Sequence, residues 1–198
     1  MAGRDNYLTV SSQTVGKGYY SEKRSKFLAF CCHVETATEA DEVVKSYRRE
    51  FHDARHVCYA YRLGPEGDIY RANDDGEPSG TAGKPILGQL VSHGLSDVIV
   101  VVVRYYGGIN LGIGGLIVAY RTAASEALAD ISVVTQTVEG QVTFDFTYPM
   151  MNGVMRVVKE MQARIVDRRF ETDCSITLAV PKSRTEELRR RLAELSFS

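Results

Sequence analysis

This sequence contains no tryptophan, no C-x-x-C pair and no apolar run longer than one buried strand. Each absence excludes something. Cys31 and Cys32 are adjacent, Cys58 is isolated and Cys174 is remote. Those spacings argue against a disulfide framework or a closed zinc site and point to buried, reduced thiols. The longest aliphatic run, Val98 to Val103, is far too short to cross a bilayer, and "MAGRDNYLTV" lacks the apolar stretch of a signal peptide. A soluble cytoplasmic protein with no membrane partner is the expectation. Excess charge of either sign is also missing: 24 Lys+Arg stand against 25 Asp+Glu, a formal net charge of −1. A chain so balanced has no global attraction for polyanions, so any nucleic-acid site must be a local basic patch. Neither half is a basic module, since residues 1–135 carry 14 basic against 16 acidic side chains and residues 136–198 carry 10 against 9.

What is present is an ordered series of amphipathic elements. Thr14 to Tyr20 and Phe27 to Val34 read as two strands of a hairpin, broken by the polar "SEKRSK". "TATEADEVVKSYRREF" has Thr36 and Glu39 at capping-box spacing and Ala40, Val43, Val44, Tyr47 and Phe51 on one helical face. "HVCYAYRLG" and "DIYRAN" form a second hairpin-like pair, with Tyr59 and Tyr61 on one side and Arg62 on the other. Thr81 suits the N-cap of a helix reaching about His93, with Pro85 in its first turn. "DVIVVVVRYY" is a strand buried on both faces by its unbroken β-branched run. The helix "GGLIVAYRTAASEALAD" follows, with Leu116, Tyr120, Ala123, Ala127 and Leu128 facing inward.

After Ile131, "TQTVEGQ" reads as a polar linker. Beyond it come strand (Gln141 to Tyr148), helix (Pro149 to Gln162), strand (Arg164 to Thr172), strand (Cys174 to Val180) and helix (Ser183 to Leu195). Met150, Val154, Val157 and Met161 form a stripe on the first helix, and Ser183 with Glu186 repeats the capping box on the second. This βαββα order is most of a ferredoxin-like unit. The fold class predicted is therefore α+β in two domains, residues 1–136 and 137–198.

Two segments hold the candidate chemistry. "RYYGGINLGIGGLIVAY" places Gly107, Gly108, Gly112, Gly114 and Gly115 between strand and helix. Glycine in an element interior costs about 0.5–1 kcal/mol relative to alanine, so the cluster needs a reason. One reason is packing, with Gly107 and Gly108 at positive φ and the other three letting the helix approach the sheet. The other is anion binding, since a Gly-rich turn ahead of a helix brings backbone amides and the helix dipole against a phosphate. Nucleotide-hydrolase fingerprints fail: "GIGGLI" lacks the third glycine of G-x-G-x-x-G, and "GTAGKP" has Pro85 where a P-loop needs Ser or Thr. Lys84, Arg104, Tyr105, Tyr106 and Arg121, together with Asn110, supply cations, aromatic faces and a polar contact for an anion or nucleic acid. "NDDGEP" carries Asp74, Asp75 and Glu77, residue types of turns, of divalent-cation sites and of acid–base chemistry. "HDARH" imitates H-E-x-x-H but has Asp53 for glutamate and straddles a helix end, so His52 and His56 are not expected to bind metal. No metal and no cofactor is predicted.

"DDGEPSGTAGKPIL" and "VVVVRYYGGINLGIGGLIVAY", flanked by "SKFLA" and "HVCYAYRLG", closely resemble the signature of the IMPACT family, in its bacterial form, over essentially the whole chain. The resemblance implies an N-terminal βαβ domain like that of a small-subunit ribosomal protein and of elongation factor G domain IV. It also implies a C-terminal domain like elongation factor G domain V. By the same resemblance the function is a non-enzymatic, translation-associated one, with RNA, a ribosomal surface or a protein of the translation apparatus as partner. The family offers no catalytic residue to carry over. This sequence departs from the commoner pattern, with Asn110 where lysine is frequent and Val118 where arginine is usual, which removes two cations. The eukaryotic kinase-pathway role uses a further N-terminal domain, and because this chain begins with the family core, that role is not expected to transfer. Two rival readings stay open: a protein-binding regulator without RNA affinity, and a hydrolase using the "DDGEP" acids with Arg104.

Overall fold

The computed structural model describes residues 5–171 and 173–197. The chain forms two compact units, residues 7–136, and residues 137–198 together with Asp5 and Asn6. The first unit contains most of β1 (Asn6–Val10), then β2 (Gly16–Glu22), β3 (Ser25–His33), α1 (Ala37–Glu50), β4 (His56–Leu63) and β5 (Ile69–Asn73). It continues through α2 (Gly83–Ser92), β6 (Val98–Tyr105), α3 (Gly112–Ala129) and β7 (Val133–Thr137).

Five strands make one sheet in the order β2-β3-β6-β4-β5, with every neighbouring pair antiparallel. Strands β3 and β4 both flank β6 and so run parallel to each other, which makes β3-α1-β4 a split βαβ unit. The β-branched run of β6 lies at the centre and is buried on both faces, as its composition requires. Ile99, Val101 and Val103 pack on the α1 side with Tyr59 and Tyr61, and Val98, Val100 and Val102 pack on the side of α2 and α3. Each such side chain contributes about 1.5–3 kcal/mol through burial. Helix α1 is capped as its sequence predicts, with Thr36 Oγ1 accepting from Glu39 N at 3.2 Å.

Three local expectations are corrected. Thr81 does not cap α2: its hydroxyl donates to the Pro78 carbonyl, and Ala82 occupies the cap position without a side-chain bond. The segment predicted as a polar linker, Thr135 to Gln141, instead spans the end of β7 and the start of the next strand; β7 pairs with β1, and the sequence pattern did not reveal it because it is exposed along its whole length. Helix α3 begins at Gly112, two residues before the predicted start, so Gly112 joins Gly114 and Gly115 in the first helical turn.

The second unit is β8 (Glu139–Phe146), α4 (Met151–Met161), β9 (Arg164–Phe170), β10 (Cys174–Pro181) and α5 (Thr185–Glu194), with a short 3₁₀ turn before each helix. This is the predicted βαββα order, with the sheet arranged β8-β10-β9 and both neighbouring pairs antiparallel. Thr172, the last residue of the predicted strand Arg164 to Thr172, lies outside the described residues. Val154, Val157 and Met161 join Leu188, Leu192, Ile176 and Leu178 in its core. Ser183 does not form the expected capping box: its amide and hydroxyl both donate to the Asp5 carboxylate, and α5 starts after it at Thr185. All four cysteines are free thiols. Cys31, Cys58 and Cys174 are buried, but Cys32 is only half-buried.

Candidate functional site

The glycines of the signature divide into different roles. A Cβ on Gly107 would lie 2.2 Å from the carbonyl carbon of Arg24 and 2.4 Å from Ser25 N, so here backbone presses on the turn of the β2–β3 hairpin. The Gly107 amide also donates to Ser25 Oγ at 3.1 Å. Gly108 and Gly112 have φ of +85° and +75°, a region that favours glycine. Gly114 faces open space, and Gly115 meets Leu111 of its own helix start. None of the three helical glycines therefore lets α3 pack on the sheet. That task falls to Gly16 and Gly18 of β2, where a Cβ would lie 2.3 Å from the Ala127 and Ala123 carbonyl oxygens of α3.

The "NDDGEP" acids are engaged in holding this region together. One Asp74 oxygen accepts from the amides of Ala82 and Gly83, the other from Gly80, so Asp74 caps α2 from outside the helix. Burial works against its charge, but those amides and Lys84 outweigh it and hold the carboxyl below its ordinary value. Asp75 pairs with Arg48 at 2.6 Å and accepts from Val57 N, and its carbonyl takes a hydrogen bond from His56 Nδ1 at 2.7 Å. Glu77, 8% exposed, receives Arg104 Nη1 at 2.5 Å and the Tyr120 hydroxyl at 2.7 Å on one oxygen, with His56 Nε2 3.8 Å from the other. The Cys58 thiol lies 3.3 Å from the same Tyr120 hydroxyl. Burial and these neighbours raise the Tyr120 phenol far above its usual range, so it stays a proton donor to Glu77.

Above this network opens a cleft of about 460 Å³, lined by Arg55, His56, Glu77, Arg104, Tyr106 and the start of α3 from Asn110 to Ile113, with Pro78 and Leu116. Arg104 is 5% exposed and lies against the rings of Phe27 and Tyr106, 5.4 and 5.6 Å from their centroids. Its Nε is buried with no hydrogen-bond partner among the described residues. Arg55 stacks over Tyr106 from the rim at 5.8 Å, and the Tyr106 hydroxyl donates to Asn110 Oδ1. No side chain caps the amides of the first α3 turn. A buried guanidinium, a second cation and a helix N-terminus thus line one concave surface.

The structure brings Arg104, Asn110 and Gly112 to this cleft, with Gly107, Gly108, Gly114 and Gly115 in the loop and helix turn that shape it. It separates the others. Lys84 and Arg121 line a different groove, between α2 and α3, with Gly80, Pro85 and Gln89. Tyr105 points to the opposite face of the sheet, because neighbours in a strand alternate, and its hydroxyl donates to Asp53 Oδ1. Of the candidate cations, Arg104 thus lines one surface and Lys84 with Arg121 another. Arg55 and His56 were missed as members of the site; their signal lay in "HDARH", which was weighed only as a metal motif. His56 begins β4 while His52 lies in the preceding turn, and no group of metal-ligating side chains occurs among the described residues.

Fold and cleft together define a two-unit α+β protein whose signature loop builds a cation-bearing pocket. The Impact N-terminal domain model matches residues 23–128, and a domain of unknown function, DUF1949, matches residues 144–196. The chain belongs to the IMPACT family. It is 35% identical over 176 residues to the IMPACT family member YigZ of Escherichia coli, covering 88% of this chain and 86% of that one. To the member YvyE of Bacillus subtilis it is 33% identical over 191 residues, covering 96% and 87%. A crystal structure of a hypothetical protein, 32% identical, superposes with a TM-score of 0.74 over 98% of this chain and 94% of the other. Among the described residues, no helix is long and apolar enough to cross a membrane.

Proposed function

We propose that this chain is a non-enzymatic, cytoplasmic accessory factor of translation that binds RNA or a ribosomal surface through the cleft at the start of α3. The family resemblance supports the setting in translation. One observation carries the binding reading: the buried Arg104 lines a cleft that also holds Arg55 and the uncapped first turn of α3. The same geometry weakens the hydrolase reading. Asp74 and Asp75 are engaged by backbone amides and Arg48, and Glu77 by Arg104 and Tyr120, which leaves none of the three acids poised against a nucleophile.

The test is RNA binding as a function of salt. Phosphate contacts make affinity fall steeply with salt, and Arg55→Ala, which removes an exposed rim cation, flattens the slope by about one contact. Affinity that ignores salt and Arg55 sinks the reading. A protein partner is the second reading, favoured by the exposed Tyr106, Ile109 and Ile113 around the same loop. Salt-insensitive binding to a ribosomal or regulatory protein, lost on Ile109→Asp, supports it instead.

A further inference from the structure

Resting on the reading of the cleft as an RNA site, we propose that its buried end receives a terminal phosphate monoester, that of an RNA end or of a free mononucleotide, and not a phosphate inside a strand. The first observation is depth. Arg104 is 5% exposed and enclosed by Phe27 and Tyr106, so an anion reaches it only by entering the cleft. An internal phosphodiester carries a ribose on each side and would have to lead two chain segments past Tyr106 and the start of α3, whereas a terminal phosphate enters on one nucleoside.

The donor inventory agrees. Glu77 takes only Nη1 of Arg104, and Nε, although sealed from solvent, has no partner among the described residues, so the guanidinium is not fully satisfied by the ion pair. Arg55, His56 and the uncapped first turn of α3 line the same cleft as Arg104. A Cβ at Gly112 or Gly114 would meet nothing within 4 Å, so no neighbouring side chain crowds this turn of the helix. A monoester offers three free oxygens and a charge of about −1.5 to −2, against one negative charge on a diester or a carboxylate. Charge decides the sign: Arg104 and Glu77 cancel as a pair, which leaves Arg55 and the helix end as net attraction for the more highly charged group. Tyr106, Pro78, Leu111 and Ile113 supply an apolar wall for the attached nucleoside.

Isothermal titration calorimetry on the full chain tests this with inorganic phosphate, adenosine, adenosine 5′-monophosphate, and short oligoadenylates ending in phosphate or in hydroxyl. Phosphate-bearing probes are expected to bind at least about tenfold more tightly than their hydroxyl counterparts, the effect of one charge-assisted contact. Ile113→Glu is the selective probe. Ile113 is 65% exposed, and a carboxylate in the first turn of α3 complements the helix dipole while repelling an anion. The variant should melt no lower than the parent and lose phosphate-dependent binding.

The outcomes separate the two claims. If phosphate- and hydroxyl-ended RNA bind alike and both respond to Arg55→Ala, the RNA reading stands and the end-recognition proposal is overturned. If the mononucleotide binds at the cleft and neither RNA does, the proposal holds with a free nucleotide as its source, and the RNA reading falls. Binding of a peptide with a free C-terminal carboxylate over its amide, with no response to any phosphate, overturns both.

Discussion

An alanine scan of the signature glycines tests the roles assigned to them, because the structure gives each a different consequence. At Gly107 the added methyl would lie 2.2 Å from the Arg24 carbonyl carbon and 2.6 Å from its oxygen, both backbone atoms of a turn. That turn has little freedom to yield, since Lys23 and Arg24 themselves sit at φ of 45° and 65°. Overpacking of this kind costs about 1–3 kcal/mol, occasionally more. Gly108→Ala and Gly112→Ala meet no atoms, but force a side chain into the left-handed region at about 1–2 kcal/mol each. Gly114→Ala meets neither obstacle and gains about 0.5–1 kcal/mol by stiffening the first turn of α3. The expected order of stability is Gly114→Ala above the parent, then Gly108→Ala and Gly112→Ala, then Gly107→Ala. Urea unfolding followed by far-UV circular dichroism and tyrosine fluorescence reads the order, fitted with allowance for separate transitions of the two units. If Gly114→Ala is as damaging as Gly107→Ala, or Gly107→Ala is neutral, the division of roles is wrong.

Two further outcomes follow from the buried network. Glu77→Ala should destabilise by about 3–5 kcal/mol, because it leaves the Arg104 guanidinium buried without its counter-ion, while Glu77→Leu combined with Arg104→Met should recover most of the loss; a double-mutant cycle that finds the two changes additive refutes the pairing. Asp74 predicts an acid dependence. Its carboxyl is held below the ordinary value, so its stabilisation is complete above about pH 4 and is lost as pH falls through the lower folded value. Asp74→Asn should cost about 1–3 kcal/mol at neutral pH and show a flatter acid limb in a stability–pH profile; an unchanged acid limb counts against the cap.

Much of the architecture was legible because it is written in short-range periodicity. The unbroken β-branched run announced β6, the Met150-to-Met161 stripe announced α4, and Thr36 with Glu39 announced the cap of α1. What escaped was set by partners distant in sequence. Strand β7 has no buried face to pattern it and exists through pairing with β1, more than a hundred residues away in the chain. Thr81 had the chemistry of an N-cap, but Asp74 reached the amides first, and a local rule does not anticipate a carboxylate arriving from outside the helix. Gly16 and Gly18 gave no cue beyond their identity, since the α3 backbone that demands them lies over a hundred residues downstream.

The site shows the same division in electrostatic form. Sequence supplies Arg104, Glu77 and His56 as three charges or potential charges in three separate motifs, and a count of them predicts near-neutrality. Folding makes the count local. Glu77 is spent on Arg104 and Tyr120, Asp75 on Arg48, and Asp74 on the amides of α2, so the acids of the signature no longer oppose an approaching anion with their full charge. Arg55 and the α3 terminus are left as the net field of the cleft. A chain with a formal charge of −1 can therefore present an anion-attracting pocket without being a basic protein. Its field decays within a Debye length, about 8 Å at physiological salt, so on the proposed reading it acts on a group already at the cleft and adds little long-range steering.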